Sequence, residues 1–484
     1  MLTIDWKPDK SSDIAVYKQI VAYMKEKIAA GEWPVKSKLP TQRALAESLG
    51  VNRSTVVTAL EELRAEGLIE STVGSGTQVS NNTWTLLSAT PPPDWMSYVK
   101  AGAHPPNLPT IQDINRYEPD PSYIRLGTGE LSPDLIPKEQ MKDILSRSGE
   151  TITQLGYSEP KGLLPLRQAI SQHLRGRGLD VSPSSILIVS GALQALHLIS
   201  IGLLHKGSTI LLEQPSYLNS LPLFQASGMS LVGVPMDDEG ILADALAYHK
   251  KAQNGALLYT IPSYHNPTGR FMTERRREQV LAVCERERLP VLEDDVYGDL
   301  WFDKPESLPL KARDQNGLVL YLGSLSKTLS PGLRIGWIVG PEPVVDRLAD
   351  VKMQTDYGAS ALSQWVAMEW LKSGVYEKHL EEVRVALRRR RDLMCSLLSR
   401  WFQDLADWQI PQGGFYIWLR FRHSFSMRTL FAKALSTGIL LNPGYIYDQT
   451  DSRHLRLSYA YASEEEMERA VYRLSELVKG MIRH

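Results

Sequence analysis

Five short apolar runs constrain this chain more than any other feature: ILIVS from Ile186, TILLEQP from Thr209, GALLYTIP from Gly255, LPVLEDD from Leu289 and LVLYLGS from Leu318. Each ends in a polar or Gly-rich turn, and helical segments separate them. Strands that are apolar throughout need cover on both faces, so the region from about Ile124 onward is expected to be α/β, a largely parallel sheet between layers of helices. Functional groups in such sheets gather at the C-terminal ends of the strands.

A Pro-rich stretch divides the chain. Prolines 91, 92, 93, 105, 106, 109, 119 and 121 fall where neither helical nor strand periodicity is visible. Residues 81–121 are therefore expected to be a linker, with Trp84, Trp95 and Tyr98 docking it in places. A first unit of residues 1–80 precedes it and a larger unit, 122–484, follows. A hydrophobic content of 43% excludes a disordered chain. No uncharged apolar run approaches the ~18 residues of a membrane span, and the N-terminus MLTIDWKPDK lacks a secretory pattern, so no membrane partner and a cytoplasmic location are expected. Cys284 and Cys395 form no disulfide framework and are expected to be packing residues.

In the first unit Val16, Ile20, Met24 and Ile28 recur at spacing four, and Gly31 stops that helix. A short helix with Leu45 and Leu49, a turn at Gly50 and a third helix with Val56, Leu60 and Leu63 give a helix-turn-helix. Two short strands around Gly74-Ser75-Gly76 add a wing. Once the apolar residues point inward, Asn52, Arg53, Ser54 and Thr55 are left at the start of the third helix, with Arg43 on the helix before. These donors suit phosphates and base edges in a major groove. Net charge is −1 over the whole chain, yet residues 36–58 hold Lys36, Lys38, Arg43 and Arg53 against Glu47 alone. Double-stranded DNA is the expected partner, touched also by Gly74 and Gly76 of the wing. The stretch from Leu39-Pro-Thr-Gln-Arg43 through VNRSTV to EGLIESTVGSGTQV resembles the DNA-binding domain of the GntR family of bacterial regulators over residues 14–79.

The strand ends of the second unit carry Ser190-Gly191-Ala192, Tyr217, Asn266, Asp294 to Tyr297, and Ser324-Leu325-Ser326-Lys327 followed by Arg334. Singly each has a plain structural explanation; jointly they fit one cofactor. Lys327 can form a Schiff base with an aldehyde. Backbone N–H groups at Gly191 and Ala192, the cation of Arg334 and the hydroxyls of Ser324 and Ser326 suit a phosphate. Asp294 can keep a pyridine nitrogen protonated, Asn266 and Tyr297 can donate to a phenolate oxygen, and Tyr217 offers a flat face.

SGALQAL, EQPSY, YHNPTG, EDDVY and SLSKTLSPGLRIGW, in this order, resemble the aspartate-aminotransferase superfamily, the fold type I pyridoxal-phosphate enzymes. The resemblance implies pyridoxal 5'-phosphate as cofactor, a large part over about 122–370 and a small C-terminal part over 371–484. It makes Lys327 the aldimine lysine, Asp294 the ring-nitrogen partner, Asn266 and Tyr297 the 3-hydroxyl partners, with Lys327, Asp294 and Tyr297 as the catalytic set. It also implies that Leu193 belongs to the phosphate-binding helix start. Arg456 in HLRLSYA matches an arginine that pairs with an amino-acid carboxylate, Gly129 lies in a loop flanking substrate, and Tyr157 in YSEPKG matches a tyrosine that crosses a homodimer to the cofactor phosphate.

Fused in this order, the two parts resemble the MocR-like transcriptional regulators. The expected function is a regulator that binds promoter DNA and senses an amino-acid-like effector through external aldimine formation. Two alternatives stay open: an active aminotransferase that controls its own expression, and a sensor of the cofactor itself that controls vitamin B6 synthesis. Efficient turnover is not expected, although every key residue is retained. Other signals point elsewhere. Ser324-x-x-Lys327 fits a β-lactamase SxxK, but neither SDN nor KTG accompanies it. Arg388 to Arg391 wrap a helix and fit a solvated face or a subunit contact. His265 fits loop packing, Glu293-Asp294-Asp295 lacks His partners, and no metal is expected.

Overall fold

Helix α1 (Val16–Ala29) buries Ile20, Met24 and Ile28 on one face, while Val16, opening the helix, is only partly covered. Gly31 follows it with φ 76°, the left-handed conformation that ends helices without a Cβ clash. The side chain of Thr41 accepts from the Ala44 N–H at 3.3 Å and so caps α2 (Gln42–Leu49), which closes on Gly50 at φ 65°. Helix α3 (Arg53–Ala65) turns Val56, Leu60 and Leu63 into the same core. Strands β1 (Ile69–Thr72) and β2 (Gly76–Val79) then pair antiparallel, with Ile69 opposite Val79, as the wing.

The computed structural model describes residues 4, 6–72, 76–81, 95–152, 155–303 and 307–482. It divides into two units, Met1–Gly102 and Ala103–His484. Gly74 of the wing and residues 82–94, with Trp84, lie outside the described residues. The stretch expected to lack regular structure contains two helices, Trp95–Ala101 and Pro109–Tyr117. Proline is the reason for the misreading: Pro109 starts its helix, at a position where an N–H would have had no partner. Tyr98, expected to dock, is 63% exposed.

In the second unit the helix Pro109–Tyr117 is followed by the short strand β3 (Ile124–Arg125). Its main sheet consists of β4 (Ile186–Val189), β5 (Thr209–Gln214), β6 (Ser230–Asp237), β7 (Gly240–Ile241), β8 (Gly255–Thr260), β9 (Val291–Asp294), β10 (Val319–Ser324) and β11 (Gly336–Val339), in the spatial order β4-β11-β10-β9-β8-β5-β6-β7. The central pairs are parallel, from β10 through β9, β8 and β5 to β6, whereas β11 runs antiparallel to both its neighbours. The sheet is thus mixed. Alternate residues serve opposite layers: Leu187 and Val189 share a core with Leu196 and Leu348, while Ile186 and Ile188 share another with Ile170 and Val366.

The C-terminal part holds β12 (Ala406–Asp407), β13 (Tyr416–Phe421), β14 (Ile439–Leu440), β15 (Asn442–Pro443) and β16 (His454–Ser458). Four of these form an antiparallel sheet, β12-β13-β16-β15, and β14 pairs in parallel with β3. The helix Val375–Trp401 carries Arg388 to Arg391, which do not share one solvated face. Arg388 and Arg389 are exposed, but Arg390 and Arg391 are 4% and 7% exposed, donating to the Ala462 and Pro411 carbonyls. About 100° of rotation per residue forces this division.

Candidate functional site

In the first unit Arg43, Asn52, Arg53 and Ser54 are exposed and Thr55 half-buried, so α3 presents its N-terminal turn to solvent. Asn52 caps that turn in extended conformation. Arg53 is held in place: its Nε and a terminal nitrogen both donate to Gln42 Oε1, at 3.2 and 3.0 Å. Gln42 did not stand out in the sequence, because nothing local marks it as a partner of a residue in the next helix. On the wing, Arg64 donates to Ser71 Oγ at 2.6 Å, Ser71 and Thr77 share a hydroxyl bond at 2.8 Å, and Gly76 opens β2.

In the second unit a cavity of about 420 Å³ lies at the strand ends. It brings together Gly129, Ala192, Leu193, Tyr217, Asn266, Asp294, Tyr297, Ser324, Ser326, Lys327, Arg334 and Arg456, from segments far apart in the chain. Gly191 stands directly before the helix Ala192–Gly202 at φ 85°, so Ala192 and Leu193 offer the first N–H groups of that helix. Arg334 has a left-handed backbone, φ 53°, unusual for a side chain of its size, and donates to the Ser190 carbonyl at 2.8 Å. That bond sets a cation beside the helix start. Ser324 Oγ accepts from Ser326 N–H and donates to the Ile335 carbonyl, both at 3.1 Å, which fixes the turn leading to Lys327. Lys327 Nζ donates to the Gly129 carbonyl at 2.6 Å.

Asp294 ends β9 and is buried. Its Oδ2 accepts from the Tyr259 hydroxyl at 2.7 Å, and its Oδ1 has no hydrogen-bond partner. Burial pushes the carboxyl up to about 6, against the Tyr259 bond. A buried carboxylate oxygen without a donor is costly, and a protonated ring nitrogen would supply the missing donor; the residues therefore fit a pyridinium cofactor. The Tyr297 hydroxyl lies 3.0 Å from that of Tyr416 and, being buried, is held well above its ordinary pKa. Arg456 lies between Tyr416 and Tyr447, its guanidinium carbon 4.2 and 4.9 Å from their ring centres. It donates to Asn266 Oδ1 at 2.8 Å and to the Gly127 carbonyl at 2.5 Å.

Tyr157 lies apart from this lining, 83% exposed. Tyr259, Tyr416 and Tyr447 escaped the sequence reading. Tyr259 sits inside an apolar strand run and Tyr416 follows Phe415 after the Gly413-Gly414 pair, where each reads as core. Asn107, Asn115 and Glu118, around the helix Pro109–Tyr117, also line the cavity and escaped it. His265 is packed as expected, 2% exposed with Nδ1 2.8 Å from Thr268 Oγ1. Both cysteines are free; Cys284 is buried and Cys395 partly so. Among the described residues no helix is long and apolar enough to cross a membrane.

The family of bacterial regulatory proteins named gntR matches residues 16–79, and aminotransferase class I and II matches residues 121–474. The chain is 52% identical over 482 residues to an uncharacterized HTH-type transcriptional regulator, YisV, of Bacillus subtilis (strain 168), covering all of both chains. It is 37% identical over 445 residues to the HTH-type transcriptional regulator NorG of Staphylococcus aureus (strain N315), covering 91% of this chain and 99% of NorG. Its fold resembles that of kynurenine aminotransferase from Pyrococcus horikoshii, solved in complex with PMP, at a TM-score of 0.73 and 31% identity, over 78% of this chain and 95% of that one. A winged helix with an exposed α3 and a sheet with an aminotransferase cavity thus occur in one chain. It belongs to the MocR-like family of HTH-type transcriptional regulators, in which a GntR-type DNA-binding domain is fused to a class I and II aminotransferase domain.

Proposed function

We propose that this regulator acts in the cytoplasm as a homodimer, reads promoter DNA through α3 and its wing, and senses an amino-acid-like compound in a second unit loaded with pyridoxal 5'-phosphate. The observation that carries the reading is the cavity itself. A lysine, a phosphate-binding helix start, an arginine and a buried carboxylate with one unsatisfied oxygen all face one space. Bound pyridoxal phosphate would supply an aldehyde reactive toward amines and an electron-withdrawing ring.

Each residue then has a definite task. Lys327 would supply the amine that holds the cofactor and would yield its place to an effector amine. Asp294 holds the proton on the ring nitrogen. Ala192 and Leu193, with Arg334 and the hydroxyls of Ser324 and Ser326, bind the phosphate. Asn266 and Tyr297 orient the ring oxygen, Tyr217 covers the ring face, and Arg456 receives a carboxylate. The exposed Tyr157 would contribute to the phosphate site of a second copy. A homodimer also supplies two winged helices, and one small domain alone covers too little DNA for tight specific binding.

The test is a titration of the loaded full-length protein with amino compounds, recording the cofactor's visible band and operator affinity together. Parallel shifts support the reading. Completeness of the site favours a second reading, an active aminotransferase; turnover of ~1 to 10³ per second with a keto-acid acceptor, and no effect on DNA binding, would establish it instead.

A further inference from the structure

We propose that the cavity selects a ligand with a second cation, an ammonium or guanidinium distal to its amino and carboxylate groups, and that Glu118 receives it. The proposal rests on the amine-sensing reading above and names the class of amine. Ile111, Ile114, Asn115 and the C-cap Glu118 follow one another at spacings that keep them on one face of the helix Pro109–Tyr117, and they line the cavity together with Asn107, which precedes the helix. That face is only partly packing: Ile114 is buried, but Asn115 and Glu118 are polar.

Charge accounting decides what the polar members are for. The cavity lining contains the cations Lys327, Arg334 and Arg456 and the carboxylates Asp294, Glu118 and Glu130. The cofactor engages Lys327, Arg334 and Asp294, and the ligand carboxylate engages Arg456. Glu118 and Glu130 remain, and neither forms a salt bridge among the described residues. A half-buried carboxylate that faces a ligand and lacks a counter-charge favours a cation there.

Glu118 is positioned for this role. Thr128 Oγ1 donates to its Oε1 at 2.7 Å, holding one oxygen and leaving the other to the ligand. Thr128 itself lies between Gly127, whose carbonyl accepts from Arg456, and Gly129, whose carbonyl accepts from Lys327. Three successive residues therefore space the carboxylate receptor, the distal-cation receptor and the amine-exchanging lysine. An apolar or acidic ligand tail would leave Glu118 uncompensated.

The experiment titrates the loaded full-length protein with L-lysine against L-norleucine, and with L-ornithine against L-norvaline, following the visible band. In at least one pair the cationic member should bind about tenfold or more tightly, as a charge-assisted hydrogen bond in a partly buried site contributes. Glu118→Gln should bring that ratio close to one. Equal affinity within both pairs of the unaltered protein, or a ratio that survives Glu118→Gln, overturns the proposal. The apolar members report on the parent reading separately: if neither they nor the cationic members shift the band, amine sensing itself fails and this inference with it.

Discussion

In the winged helix the side chains proposed to meet DNA fall within a single helix-turn-helix, from Arg43 to Thr55, beside the wing, and most are exposed. In the second unit the cavity draws on residues from Asn107 to Arg456, and many are buried. The first surface is therefore specified locally: caps and turns place its side chains, and each can be changed without disturbing a core. The second exists only after the sheet has formed, and many of its polar groups are bonded to one another, as Lys327 is to the Gly129 carbonyl and Arg456 to Asn266. Substitutions in the two regions should accordingly differ in kind.

The largest effect expected is Lys327→Ala, which should abolish the visible band of the loaded protein and leave no adduct that borohydride can fix, while α3 still binds DNA. A band that persists in this variant would break the contrast between one indispensable side chain here and several shared ones on α3.

Asp294→Asn should act in opposite directions with and without cofactor. The folded pKa of about 6 lies above the ordinary carboxyl value of 3.8, so the folded cofactor-free protein binds more protons than the unfolded chain between those values. Its stability must fall as pH rises through that window, by about 3 kcal/mol from this group. The amide removes that loss, which denaturant melts at pH 4 and pH 7 would register, although Glu293, which burial raises to about 7, contributes its own slope. Cofactor affinity should drop in the same variant, because an amide cannot hold the ring proton.

Arg53→Ala and Arg43→Ala should each weaken operator binding by about 1 to 3 kcal/mol where they make bidentate base contacts, with the cofactor spectrum unchanged. Operator affinity at fixed salt that ignores both would remove α3 as the reader. The smallest effect belongs to Gln42→Ala. It frees Arg53 without deleting it and should cost about 0.5 to 1 kcal/mol of operator affinity.

The same contrast governs how much could be read from the sequence. Helix boundaries at Gly31 and Gly50, the inward face of α3 and the wing follow from local spacing and turn chemistry. The parallel core strands were legible as apolar runs, and Lys327, Asp294 and Arg334 from the chemistry of their types and order. The antiparallel β11 was not, since strand direction is set by pairing rather than by composition. Tyr259 and Tyr416 were hidden because a buried tyrosine and a site tyrosine look alike until a partner such as Asp294 or Tyr297 is in place. The helix Pro109–Tyr117 was hidden by proline, which breaks helices internally but begins them well.

Arg456 donates through its terminal nitrogens to Asn266 Oδ1 and the Gly127 carbonyl, while its Nε has no hydrogen-bond partner. A guanidinium carries five N–H donors, so these two bonds fix the side chain and still leave donors for a ligand carboxylate. The receptor is thus set before its ligand arrives, and stopped-flow rates should rise in proportion to ligand concentration without levelling off. A regulator built this way would follow its signal promptly.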